Sequence, residues 1–261
     1  MKTSEEIKNR IAKKANLIKN HKALSHYRDL LKYGKYTSDS GKEYSYNKYN
    51  YTPHFVESNK KIKWTKDRAF LIFSLPPVLT CPNACAGCLD DCYALKEMYP
   101  NSIIPRFENW KLSFHGDFRD ITLEYLENWI SKNAKRLENR KLAVRVHESG
   151  DFYSVAYMLK WYYIASHLPN VTFYAYTKSF KIADECECFR PKNFIIRASV
   201  WQGSTTEEEL QIIRKNGWPI YTAYKTDEMP ENYFICPCSL GCGQCGNQCG
   251  TNRKNIACEI H

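Results

Sequence analysis

Apolar positions along this chain follow two regimes. In residues 4–34, Ile7, Ile11, Ala15 and Ile18 recur at three- and four-residue steps between lysines, which predicts a helix with Ser4 as cap and Gly34 as stop. Residues 35–66 are polar, tyrosine-rich and aperiodic, and read as an extended arm or a mobile lead-in. From Ala69 the texture changes. The continuous apolar run 69–75 ends at Pro76-Pro77 and predicts a buried strand. Residues 117–136 place Phe118, Ile121, Tyr125 and Trp129 on one helical face. Strand patterns at 141–147, 171–177, 194–200 and 219–226 then alternate with helical ones at 154–168, 179–186 and 205–217. In the first of these helices Val155, Met158, Leu159 and Tyr162 face inward. The last opens on a capping box, Thr205 to Glu208, and stops at Gly217. A short segment, 233–235, is a candidate sixth strand.

Strands alternating with helices imply right-handed crossovers and a parallel sheet, hence an α/β fold with either an open doubly wound sheet or a partial (β/α) barrel of about six parallel strands. The expected organisation is a basic arm at 1–66, a core at 67–235 and a cysteine-rich extension at 236–261. No strand is followed by a G-x-G-x-x-G turn and there is no P-loop, so nothing points to dinucleotides or nucleoside triphosphates.

Cysteine changes the picture. Nine of the 12 cysteines crowd into two clusters, Cys81, Cys85, Cys88 and Cys92, then Cys236, Cys238, Cys242, Cys245 and Cys249, with Cys258 beyond. Disulfides are the rival explanation. The N-terminus has no secretory pattern, and no run reaches the roughly 18 apolar residues that span a bilayer. The expectation is therefore a cytosolic protein that is not membrane-bound, whose reduced thiols bind a soft metal.

The first cluster offers two three-cysteine registers. Cys81, Cys85 and Cys88 give C-x3-C-x2-C, and Cys81, Cys88 and Cys92 give C-x6-C-x3-C. Either could hold three irons of a [4Fe–4S] cluster and leave the fourth open. A closed zinc site would use all four cysteines. The second cluster has enough thiolates for a closed site on Cys236, Cys242, Cys245 and Cys249, again iron–sulfur or zinc, with Cys238 an alternative ligand. Cys186 and Cys188 form only a C-x-C pair and stay unassigned.

In parallel α/β folds, ligands gather at the carboxyl ends of the strands. Those ends carry the first cluster, then Glu148-Ser149-Gly150-Asp151, then Lys178 and Ser179, then Trp201, Gln202 and Gly203, then Lys225, Thr226 and Asp227. Alternation puts Arg145 and His147 on the side of Ala143, a candidate polar pair.

Charge adds one more expectation. Of the net +10, the whole excess lies in residues 1–66, which hold 16 Lys and Arg against 6 Asp and Glu. Tyr27, Tyr33, Tyr36, Tyr44, Tyr46, Tyr49 and Tyr51 are interleaved with those lysines. Cations beside aromatic faces suit nucleic acid as a partner, through phosphate neutralisation and base stacking.

C-x3-C-x2-C at the end of the first strand of a (β/α) repeat resembles the radical S-adenosylmethionine enzymes. That resemblance implies a partial barrel, a three-cysteine [4Fe–4S] cluster, S-adenosylmethionine bound to its open iron, and a reductant as partner. Ser149, Gly150 and Asp151 stand where that superfamily has a Gly-Gly-Glu-type turn contacting the cofactor. Two departures are Asp151 in place of Glu and Gly87 where an aromatic residue usually precedes the third cysteine. The chain more closely resembles the phage-encoded "gene product 88" family of uncharacterised proteins. This rests on Thr80-Cys-Pro-x-Ala through Cys88-x3-Cys92-Tyr-Ala, on Arg145-Val-His-x-Ser-Gly-Asp-Phe, on Phe173-Tyr-Ala-Tyr-Thr-Lys-Ser and on the late C-x2-C-x3-C, over residues 69–250. It implies Cys81, Cys88 and Cys92 as principal ligands, with Cys85 extra, and a location in the host cytosol.

Overall fold

The N-terminal helical pattern folds as two helices rather than one, α1 (Ser4–Asn20) and α2 (Lys22–Tyr33), interrupted at His21. Gly34, at φ +74°, ends α2. A computed structural model describes residues 4–59, 62–96, 99–201, 203–224, 230–237, 245, 248–251 and 254–259. After α2 come the hairpin β1 (Lys35–Thr37) and β2 (Glu43–Ser45), then β3 (Phe55–Val56) and β4 (Arg68–Phe73). The first cysteine loop follows, with α3 (Ala86–Asp90) inside it, then α4 (Pro100–Ser113), α5 (Phe118–Lys132) and α6 (Ala134–Leu137). The alternating half is β5 (Lys141–Val146), α7 (Val155–His167), β6 (Thr172–Thr177), α8 (Phe180–Cys186), β7 (Phe194–Val200), α9 (Glu207–Lys215), β8 (Ile220–Tyr224), β9 (Phe234–Ile235) and β10 (Ile256–Glu259).

The described residues form an eight-stranded, mostly parallel sheet in the order β3-β4-β5-β6-β7-β8-β10-β9, open at both edges. Neighbours from β4 to β8 are consecutive in sequence and parallel, and only β3 runs antiparallel. Alternation splits each strand between two faces. Leu71, Phe73, Val144, Val146, Phe173, Ala175, Phe194 and Ile196 pack with α5, α7, α8 and α9 in the main core. Trp161 of α7 is its largest fully buried side chain, packed edge-on against Phe73 and Phe118. Burying such a ring contributes roughly 1.5–3 kcal/mol or more. The opposite face carries Phe70, Ile72, Ala143, Tyr174 and Ile195, against Ile62, Trp64, Tyr176 and Cys249.

Several expectations are corrected. The capping box lies one residue later. The Thr206 hydroxyl accepts from the Glu209 amide (3.2 Å) and the Glu209 carboxylate accepts from the Thr206 amide (2.7 Å), because the Thr205 hydroxyl is taken by the Trp201 amide. The sheet is not purely parallel, and the sixth strand is not next to the fifth. β10 lies between β8 and β9, a placement hidden by its short apolar stretch. The strand expected at 219–226 is described to Tyr224, and Lys225, Thr226 and Asp227 lie outside the described residues. Helix α4, which was not predicted, carries Ile103, Phe107 and Trp110 at helical spacing, and Pro100 at its first position and the reciprocal Tyr99–Ser102 cap start it.

Residues 35–59 are not a detached arm. Leu24, Tyr27, Leu30 and Tyr36 are buried with Val78, Ala84, Leu89, Ile103 and Phe107, so α1, α2 and the hairpin lie over the first cysteine loop. Glu108 of α4 holds the following segment through the Asn47 amide, the Asn50 side chain and His54.

Candidate cysteine site at the strand ends

The loop leaving β4 is held from three sides. Thr80 donates to the Pro76 carbonyl (2.7 Å) and closes the turn before Cys81. The turn after β5 locks onto the same loop. The Leu75 amide donates to the Ser149 carbonyl (2.9 Å), the Ser149 hydroxyl to the Leu75 carbonyl (2.6 Å), and the Asp151 amide to the Thr80 carbonyl (3.2 Å). Gly150 has φ +87°, and a Cβ there would stand 2.6 Å from Leu75 Cβ and 2.7 Å from Thr80 Oγ1, so only glycine lets the two segments meet. On the solvent side the Lys14 ammonium of α1 donates to the Cys81 carbonyl (2.7 Å), and Lys13 pairs with Asp90.

This frame brings Cys81, Cys88 and Cys92 together against one apolar cluster. Burial pushes the Cys81 thiol up, followed by the charges of Asp151, Cys88 and Cys92. Burial also pushes Cys88 up, to about 12, with Lys178 opposing, and raises Cys92, with the Leu95 and Ala94 amides and Arg106 opposing. Cations stand near the three thiols: Lys14 at the Cys81 carbonyl, Lys178 near Cys88 and Asp151, and Arg106, which also lies by the Tyr27 hydroxyl, near Cys92. Arg106 is 5% exposed and its Nη1 is buried with no hydrogen-bond partner. Cys85 is used differently, as the N-cap of α3, accepting from the Cys88 amide (3.5 Å). Gly87 makes room for the Trp201 indole, which occupies the space a Cβ would need. An aromatic ring therefore reaches this position from the end of β7 rather than from the residue before Cys88.

Ser149, Gly150 and Asp151 are beside the thiols, but their polar groups face the protein. The buried Asp151 carboxylate accepts from Thr177 Oγ1 (2.6 Å), the Lys178 amide (2.9 Å) and the Phe152 amide (2.7 Å). Lys178 Nζ reaches the Ser199 carbonyl (2.7 Å) and stands 5.8 Å from the Trp201 ring. The Ser179 hydroxyl donates to the Phe152 carbonyl (2.7 Å). Gln202 lies outside the described residues.

The second cluster is only partly described. Cys238 and Cys242 lie outside the described residues, while Cys236, Cys245 and Cys249 are within them. Arg197 fastens this loop to the sheet. Fully buried, it donates to the carbonyls of Cys249, Ile220, Lys254, Gln248 and Thr251 at 2.7–3.4 Å. The loop puts Cys249 against the Tyr176 hydroxyl, with Arg197, Arg145 and Cys245 close by. The two clusters approach a common point. Tyr221, whose hydroxyl burial pushes up to about 12, lies within electrostatic reach of Arg145 and of the Cys236, Cys249 and Cys88 thiols.

Among the described residues no group of three or more His, Cys, Asp and Glu side chains is set to hold a single metal ion. A zinc site draws its thiolates to about 2.3 Å from one ion. A cubane spreads them over separate irons and accepts a wider triad. Contrary to the expectation of reduced thiols, Cys258 on β10 is disulfide-bonded. Cys186 is buried and Cys188 exposed.

The Arg145–His147 pair is split. Arg145 stays on the face of Ala143, over the Tyr176 ring. His147 adopts φ +65° and turns to the helix side, where Nε2 meets the Tyr157 hydroxyl (2.9 Å) and Nδ1 is buried without a partner. Burial depresses its pKa to about 3 from an ordinary 6.5. Below pH 6.5 the unfolded chain takes up a proton that the native chain refuses. Stability is then full above pH 6.5 and declines as pH falls toward 3, with a slope of up to about 1.4 kcal/mol per pH unit. His147→Asn, which tolerates the backbone angle, is expected to flatten that slope in denaturant titrations between pH 6.5 and 4. An unchanged slope would place the acid sensitivity elsewhere.

The model of the Gene product 88 family matches residues 42–255. The chain belongs to this family. The match takes in both cysteine loops and the strands from β3 to β9, and leaves out α1, α2, β1 and β10. A stretch of 103 residues is 32% identical to the Gene 88 protein of Mycobacterium phage L5 and, over the same length, 30% identical to that of Mycobacterium phage D29. It covers 38% of this chain and 43% and 42% of those proteins, so the chain spans less than half the length of the curated relatives it matches. Their names carry no activity or cofactor. No solved structure matches the chain. No described helix is long and apolar enough to cross a membrane.

Four residues of the site escaped the sequence reading: Lys14, Arg106, Tyr221 and Arg197. Lys14 was one lysine among many, Arg106 sits on a helix that was not predicted, and Tyr221 looked like an ordinary strand residue. Only Arg197, a cation inside the apolar run 194–200, carried a signal, because a charge there must find buried partners.

Proposed function

We propose that this chain is an iron–sulfur enzyme of the radical S-adenosylmethionine type, built on a partial (β/α) barrel. Cys81, Cys88 and Cys92 hold a [4Fe–4S] cluster, and Cys236, Cys242, Cys245 and Cys249 form a second, closed site. One observation carries the reading. Three cations, Lys14, Lys178 and Arg106, gather around the half-buried Cys81, Cys88 and Cys92, and Arg106 keeps a buried donor with nothing to accept it. Bare neutral thiols do not call for that much positive charge, whereas an anionic thiolate-bound cluster does.

Such a cluster supplies a low-potential electron and, at its open iron, a place for the cofactor's amino and carboxylate groups. The protein's own contribution is positional. Ser149, Gly150 and Asp151 hold the cysteine loop against β5 and β6. Trp201 covers Gly87, and α1 and α2 keep water from the loop. Arg197 sets the second site beside the first. A reductant is the implied partner.

The reading is tested by giving S-adenosylmethionine to reduced, anaerobically reconstituted protein. Release of 5′-deoxyadenosine supports it, and full cluster loading without cofactor cleavage contradicts it. A second reading, nucleic-acid binding, is favoured by Tyr33 and Tyr49, which are 60% and 72% exposed with Lys32 and Lys48 over their rings. It requires salt-sensitive binding of single-stranded DNA or RNA.

A further inference from the structure

Two arginines project from the same face of the sheet, and they are used in opposite ways. Arg197, on β7, is fully buried and spends its donors on five carbonyl oxygens. Its role is accounted for by the loop it holds. Arg145, on β5, is only half-buried. Its Nε is buried and unpaired, and Glu148 is the carboxylate near it, within electrostatic reach but not among the ion pairs of the described residues. Its guanidinium lies over the Tyr176 ring at 5.0 Å, with Tyr93 and Tyr174 beside it and Tyr221 nearby.

A guanidinium that keeps a buried N–H unpaired, with Glu148 near but not bonded to it, has donor capacity left for an acceptor from outside the chain. The guanidinium fork matches the two oxygens of a carboxylate or phosphate. Its surroundings suit that task. Tyr93 is 47% exposed and opens the site at the rim, while its hydroxyl donates to the Glu148 carbonyl and fixes the Cys92 turn to the end of β5. Tyr176 and Tyr221 stand edge-on at 4.8 Å and form a rigid aromatic floor. The place is also where the two cysteine loops approach, through Tyr221's neighbours Cys88 and Cys249.

We infer that Arg145 is the anchor of an oxyanion site on the sheet face, binding the carboxylate or phosphate group of a small substrate and holding that substrate between the two cysteine loops. The substrate role rests on the function proposed above, whereas the oxyanion site stands on Arg145 and the tyrosines alone. Arg145 stands beside Cys249 of the second site, so iron and sulfide content is measured with the binding and tells failure of the oxyanion site from failure of the cluster.

The test uses the full-length, cluster-loaded protein with inorganic phosphate and, in a separate arm, acetate as probes. Thermal stability is followed against probe concentration for wild type and Arg145→Gln, with iron and sulfide content measured in both. The expected result is a saturable rise in Tm in the wild type, at least about 10-fold weaker binding in the variant, and equal iron and sulfide content. The stronger arm tells phosphate from carboxylate. Equal rises in both proteins, or no rise in the wild type with either probe, would overturn the inference. Should Arg145→Gln fail to fold, wild-type protein is treated with phenylglyoxal and Arg145 modification is read by peptide mass spectrometry. Protection of Arg145 by phosphate or acetate supports the site, and modification at an unchanged rate in the presence of both overturns it.

Discussion

Replacing Arg197 by methionine is expected to destabilise the protein by at least about 3 kcal/mol, because a buried cation is removed and its acceptors are stranded. Methionine fills much of the same volume, so lost packing is not the main effect. What is lost is the connection between β7 and the C-terminal loop. Arg197 reaches Gln248, Cys249, Thr251 and Lys254 from one side chain, and Ile220 on the neighbouring strand. Carbonyl groups left there without a donor either remain unpaired or leave the sheet for water. In a chain of this length the loss appears as a fall in Tm of roughly 6–12 °C. The loop should also loosen before the sheet does, so Cys245 and Cys249 should be alkylated faster than in wild type. A loss under about 1 kcal/mol with unchanged alkylation would mean that the loop is held by other contacts.

Gly150→Ala is expected to cost about 2–4 kcal/mol, from left-handed backbone strain and overpacking together. The two causes reinforce each other. At φ +87° an alanine is strained, and its Cβ would meet Leu75 Cβ at 2.6 Å and Thr80 Oγ1 at 2.7 Å. Those neighbours are not flexible tips. Leu75 is buried and bonded through its backbone to Ser149, and Thr80 is bonded to Pro76. The turn must therefore move away from the cysteine loop, and Asp151 must move with it. The variant should fall in denaturant midpoint and load less iron, whereas Gly217→Ala, strained in φ but with open space around it, should lose stability without losing iron. If Gly150→Ala melted like wild type and loaded fully, the turn would not be positioning the loop.

How much of this was legible in the sequence depended on the range of the signal. The strands and helices from Ala69 onward were readable because each carries its own period: the run 69–75 became β4, and Val155, Met158, Leu159 and Tyr162 do face the core. The placement of β10 was not readable, since a four-residue strand gains its identity from the neighbours it pairs with. The tyrosine-rich segment misled for a related reason. Tyr27 and Tyr36 look like Tyr33 and Tyr49 in sequence, yet the first two are buried in the apolar cluster over the first cysteine loop and the others are exposed. At the site, the cysteine spacing named the thiols, but the cations did not declare themselves. Lys14 and Arg106 come from separate helices, 67 and 14 residues from the thiols beside which they stand. His147 shows the limit of alternation, because one residue at positive φ reverses the face that period-two counting assigns.

The account turns on what the first cysteine loop binds, and metal analysis of protein purified without oxygen reads this directly. Iron, acid-labile sulfide and zinc should be measured in wild type, in Cys85→Ala and in a triple variant lacking Cys81, Cys88 and Cys92. The expected result is iron and sulfide in equal amounts in wild type, most of that content retained in Cys85→Ala, and loss of one cluster's share in the triple variant. Zinc without iron in the wild type, or a loss in Cys85→Ala equal to that in the triple variant, would contradict it.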